Sequence, residues 1–185
     1  MPWDSALPFG ARDTKVVPYT TSALTTLGTA VDTPNARSFS FSESEDYEEL
    51  RGDDKVVAIR GLGPSVEWEM ESGGISVPAY KEMNGGTTAT TGVTPNQVTT
   101  YTKKVTDQKP YVQLSGQAMS DSGGDFHVVL PRSRASNGVE GELADGSFWL
   151  TSASGVALPA LKTGDVDTLY KFILNETAAA AAITT

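Results

Sequence analysis

The residues best placed to do chemistry are three glutamates spaced two apart, Glu67, Glu69 and Glu71, alternating with Val66, Trp68 and Met70. A period of two puts alternate residues on opposite faces of a strand. One face belongs in a core and the other presents three carboxylates to water. Carboxylate pairs can run glycoside hydrolysis, but 23 Asp and Glu side chains make pairs by chance. The single histidine, His127, alternates with Phe126 and Val128 and reads as a partly exposed strand residue. With one His and no Cys, neither a zinc site nor a Ser–His system has support. Gly61-Leu62-Gly63-Pro64 opens like a dinucleotide loop but lacks the third glycine and a following helix. Residues 121–125 are too short and glycine-rich for a helix–loop–helix calcium site. Arg51-Gly52-Asp53 spells an adhesion tripeptide but reads as a turn, and Asn175-Glu176-Thr177 is a glycosylation sequon without meaning unless the chain is secreted. The expectation is a protein with no catalytic residues, cofactor or metal.

The elements that position the glutamates follow from local pattern. Residues 55–60 and 65–71 read as two strands joined by a turn at Gly61–Pro64. Gly73-Gly74 ends the second, Ser76 caps a helix over about residues 76–84 with Pro78 in its first turn, and Asn84-Gly85-Gly86 stops it. Val77, Tyr80 and Met83 form its narrow apolar stripe. Two turns of helix are not stable alone, so Tyr80 and Met83 must dock on a sheet, near Trp68 or another apolar face. Phe39 and Phe41 alternate with serines in a further half-buried strand, followed by the acidic segment 43–49.

Residues 1–36 carry four prolines and poor periodicity, and read as an N-terminal arm. Residues 87–106 hold nine threonines and read as a long exposed loop, or an extended excursion ending in a strand near 98–105. Strands are expected at 111–118 and 126–130 around a turn at 121–124, then near 148–150, and at 169–174, with a polar loop at 132–142. The fold class is therefore an all-β antiparallel sandwich or barrel with one short flanking helix. Its organisation is an arm (1–36), one β-sandwich domain (37–176) and a flexible tail (177–185).

A chain of 185 residues can form one well-buried domain. Its net charge of −9 argues against tight binding to a nucleic-acid backbone. No run of about 18 apolar residues spans a membrane, and the N-terminus shows no signal pattern, so use without secretion is expected.

The order of pieces resembles the major tail tube proteins of long, flexible-tailed bacteriophages. It runs arm, serine- and acid-rich strand, Gly-Asp-Asp turn, two-stranded ribbon, Gly73-Gly74-Ile75-Ser76-Val77-Pro78-Ala79-Tyr80 entering a short helix, then Asn84-Gly85-Gly86. The resemblance is best over residues 38–86 and weaker over 105–174. It implies a virion tail protein assembled in the host cytoplasm. Six copies would form a ring, and rings would stack into a tube conducting genomic DNA, with tape-measure and tail-terminator proteins as partners. It places the 53–72 ribbon and Glu67, Glu69 and Glu71 at the lumen and lets the 87–106 loop reach a neighbour. The core would hold Phe39, Phe41, Val66, Trp68, Met70, Tyr80 and Met83. A different reading is a monomeric β-sandwich that binds carbohydrate or another surface, with Trp149 and Tyr101 as exposed contact aromatics.

Overall fold

A computed structural model describes residues 5–177 and Ile183. The elements in chain order are β1 (Pro8–Pro18), β2 (Val31–Asp32), β3 (Ala36–Gly52), β4 (Lys55–Gly73), α1 (Val77–Asn84), β5 (Thr87–Thr91), β6 (Val98–Thr102), β7 (Val112–Ser120), β8 (Asp125–Ala135), β9 (Glu140–Gly141), β10 (Leu150–Ala157) and β11 (Lys171–Asn175). Every strand pairing is antiparallel, and one short helix accompanies them, as the all-β expectation required. The main sheet runs β2-β1-β7-β8-β10-β4-β3, with β11 on β8 and β9 on β10.

β8 is where this sheet folds over into a sandwich. Its first half pairs with β7 and β11, while Ser133–Ala135 pair with β10. The crossing brings backbones so close that a Cβ at Gly155 would strike the Arg134 carbonyl and the Ala135 Cα. The two layers meet again at the far side, where the Phe39 ring of β3 lies over Gly116 of β7. The core between them gathers Val16, Val66, Trp68, Met70, Met83, Val112, Leu114 and Leu130, all buried, with Phe39, Phe41 and Tyr80 partly buried against it. All seven expected core side chains thus pack in or on this one cluster.

The helix forms for the local reasons read from its sequence. The Ser76 side chain accepts a hydrogen bond from the Ala79 N–H, proline occupies the first turn, and the Gly85 N–H closes on the Lys81 carbonyl at φ +76°. Its Met83 joins the cluster that holds Trp68.

Four local expectations need correction. Residues 1–36 are not an arm throughout: β1 sits inside the sheet between β2 and β7, and Val16 and Val17 are fully buried. Two of the four prolines that suggested an arm, Pro8 and Pro18, stand at the ends of this strand, where proline is tolerated. Gly61–Pro64 does not turn the chain. β4 runs 19 residues without a break beside the 17-residue β3, and the glycines make a bulge instead, with Gly63 at φ +102°. The turn lies at Asp53-Asp54, both at positive φ, which gives the two-residue hairpin loop that matches strand twist. The ribbon is therefore β3 against β4, not two halves of 53–72.

Residues 87–106 take the second of their two expected forms, an extended excursion ending in a strand: β5 and β6 pair as a separate two-stranded sheet, the second strand running from Val98 to Thr102. The polar stretch 132–142 is strand as far as Ala135, and the strand expected near 148–150 begins only at Leu150 and runs to Ala157. Of the expected tail 177–185, all but Thr177 and Ile183 lies outside the described residues, as do residues 1–4.

The Phe39–Gly116 contact is the seam of the sandwich. A Cβ at position 116 would stand 2.5 Å from the Phe39 ring. Gly116→Val is expected to cost about 1–3 kcal/mol of unfolding free energy. Urea denaturation measures it, and Phe39→Ala in the same chain should recover part of the loss.

Candidate functional site: a serine and glutamate sheet face

From Val66 to Ser72, β4 lies between β3 and β10, so each residue of that stretch has a partner on both sides. Ser38, Glu71 and Ser152 form one cross-strand row, Ser40, Glu69 and Ser154 the next, and Ser42, Glu67 and Val156 the third. Ser44 opposite Ser65 extends the face, their hydroxyls 3.0 Å apart. Residues directly opposite share a face. A column of glutamates is thus flanked on both sides by columns of serines. The reverse face carries Phe39, Met70 and Ala153 in one row and Phe41, Trp68 and Gly155 in another, and Trp68 is housed opposite a residue without a side chain. The alternation read from 66–71 holds without exception: Val66, Trp68 and Met70 are buried, while Glu67 and Glu69 are exposed and Glu71 half-buried.

Along one strand face, successive carboxylates stand roughly 7 Å apart, close to the Debye length at physiological salt. Arg37, beside the bulge at the start of β3, holds Glu71 at 3.0 Å. Glu67 and Glu69 have no cation at salt-bridge distance among the described residues. Ser40, Ser42, Glu67, Glu69, Asn137 and Ser154 line a shallow cleft of about 550 Å³ on this face. Asn137 donates to the Ser154 hydroxyl at 2.8 Å and fixes its far wall. Glu67 and Glu69 both stand exposed to water on this face.

The other residues singled out fall elsewhere. Tyr101 does not stand free: its ring meets Tyr80 edge-on at 5.0 Å, and its hydroxyl donates to the Gly85 carbonyl at 2.7 Å. Trp149 lies against Gly141 and donates its indole N–H to the Thr151 hydroxyl at 2.9 Å. Both aromatics serve the structure around them. Arg51-Gly52-Asp53 is at the hairpin tip, with the Arg51 guanidinium 2.7 Å from Glu49. No group of three or more His, Asp or Glu that could hold a metal occurs among the described residues.

His127 is not partly exposed as expected. It is buried, with Nε2 2.7 Å from an Asp125 carboxylate oxygen, and the same carboxylate accepts from the Gln117 and Asn175 side-chain amides. This quartet ties β7, β8 and β11 together. Its only signal in the sequence is the two-residue spacing of Asp125 and His127, which puts both on one strand face. Ser115 sits on the neighbouring strand, but its buried hydroxyl has no hydrogen-bond partner among the described residues, so no Ser–His–Asp relay is assembled. Burial alone would push the Asp125 carboxyl up, yet the Gln117, Asn175 and His127 hydrogen bonds outweigh it and hold the group below the usual carboxylate value.

No protein-family model matches the chain, and no curated protein matches it in sequence.

The quartet sets a pH dependence. A carboxyl with a depressed folded value stabilises the fold above its unfolded value, near 3.9, and loses that contribution as pH falls through the folded value. Melting temperature should therefore drop below about pH 4. Asp125→Leu strands three polar partners and should cost about 3 kcal/mol at pH 7. It should also flatten that acid limb, and melting curves taken from pH 2 to 7 read both effects.

Proposed function

We propose that this chain is a self-assembling tube subunit of the kind that builds the tails of long, flexible-tailed bacteriophages. Copies close into six-membered rings, and rings stack. The Glu67–Glu69–Glu71 face lines a channel through which DNA passes without being held. The observation that carries this reading is the composition of that face: in three cross-strand rows, every side chain but Val156 is serine or glutamate. Such a face offers phosphates repulsion, offers bases no ring to stack on, and presents Arg37 alone, already engaged by Glu71.

Two further features support assembly. β3 is a terminal strand of the sheet, and β10 covers β4 only from Val66 to Gly73, so long edges stay unpaired within one copy. Pairing between copies is the usual way for such edges to be satisfied. Beyond the bulge, residues 45–60 of the β3–β4 hairpin are all exposed, and Tyr47, Leu50, Val57 and Ile59 are each 60–65% exposed. Apolar side chains at this density on a projecting element are unusual for a monomer and fit a buried contact with another subunit. In that setting tape-measure and terminator proteins would meet the tube at its lumen and its end.

Concentrated protein viewed by negative-stain microscopy should show rings or tubes. A species that stays monomeric at every concentration would refute the assembly and favour the reading as a monomeric carbohydrate- or surface-binding module. Replacing Glu67, Glu69 and Glu71 together by lysine leaves the apolar face untouched, so tubes should still form. Those tubes should retain duplex DNA in a co-sedimentation assay, more strongly at low salt, whereas wild-type tubes should not.

A further inference from the structure

In a chain of net charge −9, four of the 14 cations gather at one place. Arg132 and Arg134 of β8 both lie over the Tyr111 ring, at 4.7 and 5.2 Å from its centre. Lys109 is two residues before that ring, and Lys103 is near enough to help push the Lys109 ammonium below its usual value, after burial and together with Arg134. The Tyr111 hydroxyl is drawn down by hydrogen bonding to Arg134 and Arg132. These are the signs of positive charge without a counter-charge. None of the four cations has a carboxylate at salt-bridge distance among the described residues. Asp165, the carboxylate on the Tyr19 side, is taken by Lys171. Arg132 donates one Nη to the Pro159 carbonyl at 3.0 Å, and its Nε has no partner.

Two clefts, of about 450 and 330 Å³, share Lys109, Tyr111 and Arg134. One continues over Val156 and Leu158, the other over Leu24. Lys109 and Lys103 donate to the Asn137 and Asn84 carbonyls, so the surface combines cations that no carboxylate neutralises with apolar walls. The complementary surface is present on the same chain. Over residues 43–60 the β3–β4 hairpin carries seven carboxylates and three cations, with exposed Leu50, Val57 and Ile59 between them. Past the bulge it projects by six to eight residues per strand, roughly 20–25 Å at strand rise.

We propose that the Lys109–Tyr111–Arg132–Arg134 surface is the docking site for the acidic hairpin tip, residues 45–60, of a second copy of this chain. The inference rests on the self-assembly reading above and names the contact that reading leaves open. The arginines take hairpin carboxylates, and the flanking clefts take its aliphatic side chains. A nucleic-acid ligand fits less well. Both guanidiniums already sit on the Tyr111 ring, and Tyr19, the other aromatic along the clefts, is half-buried with its hydroxyl donated to the Pro131 carbonyl.

The test is a charge swap read by assembly. Lys109→Glu/Arg134→Glu reverses the docking site, and Glu48→Lys/Glu49→Lys reverses the tip. Each pair alone should raise the protein concentration needed for assembly, measured by sedimentation, at least about tenfold. The chain carrying all four substitutions should assemble close to the wild-type concentration. That recovery also shows that neither pair acts by unfolding the protein. Wild-type tubes with unaffected half-variants, or a four-fold variant no better than either half, would overturn the docking contact and leave the tube reading standing. A wild type that never assembles would remove both. Binding of a short duplex DNA that Lys109→Glu/Arg134→Glu abolishes, with assembly unchanged, would assign the patch to nucleic acid and likewise overturn the proposal.

Discussion

The structure depends on the register of β4 between β3 and β10. Because side chains alternate, a slip of one residue would turn Trp68 and Met70 to solvent and drive Glu67 and Glu69 into the core. Several contacts make that slip costly. Phe39 needs the vacancy at Gly116, the close approach of β8 to β10 needs the one at Gly155, and Arg37 is paired with Glu71 in the observed register. The same register that fills the core also aligns serines and glutamates into rows. The polar face is therefore the mirror of the packing and not a separate device.

A second consequence concerns division of labour along one hairpin. The half of β3 and β4 nearest the helix is held by β10 and by the core. The half beyond the bulge touches nothing else in the chain closely enough to bury a side chain. The first half is anchored in the core, and the second half, residues 45–60, is exposed throughout. The basic surface around Tyr111 has the opposite sign, and none of its four cations meets a carboxylate at salt-bridge distance among the described residues.

Much of this was legible in the sequence, for identifiable reasons. The alternation at 66–71 and at 38–42 named the core and polar faces residue by residue, since strand parity is a local property. Ser76, Pro78 and Gly85 marked the helix because capping is local too. Long-range pairing decided what was misread. Gly61-Leu62-Gly63-Pro64 has the composition of a turn, but a long partner strand on one side kept it extended. Pro8 and Pro18 suggested an arm, yet the strand between them is held by β7 through a register no local pattern encodes. The quartet around Asp125 and the cations around Tyr111 assemble from segments up to 50 residues apart, so neither had a motif to announce it.

The bulge at Gly61–Pro64 has a mechanical meaning. It breaks the ladder between two well-paired stretches and places a glycine at positive φ and a proline at the break. A lateral load at the tip of the hairpin acts on a lever roughly 20–25 Å long. The bending moment is greatest where the free arm meets the anchored sheet, and that is where the ladder already has a gap. Strain applied from outside is taken up in backbone torsion there, without shearing the hydrogen bonds that hold Trp68 and Met70 in place. The projecting arm can bend there while the register of the sandwich is kept.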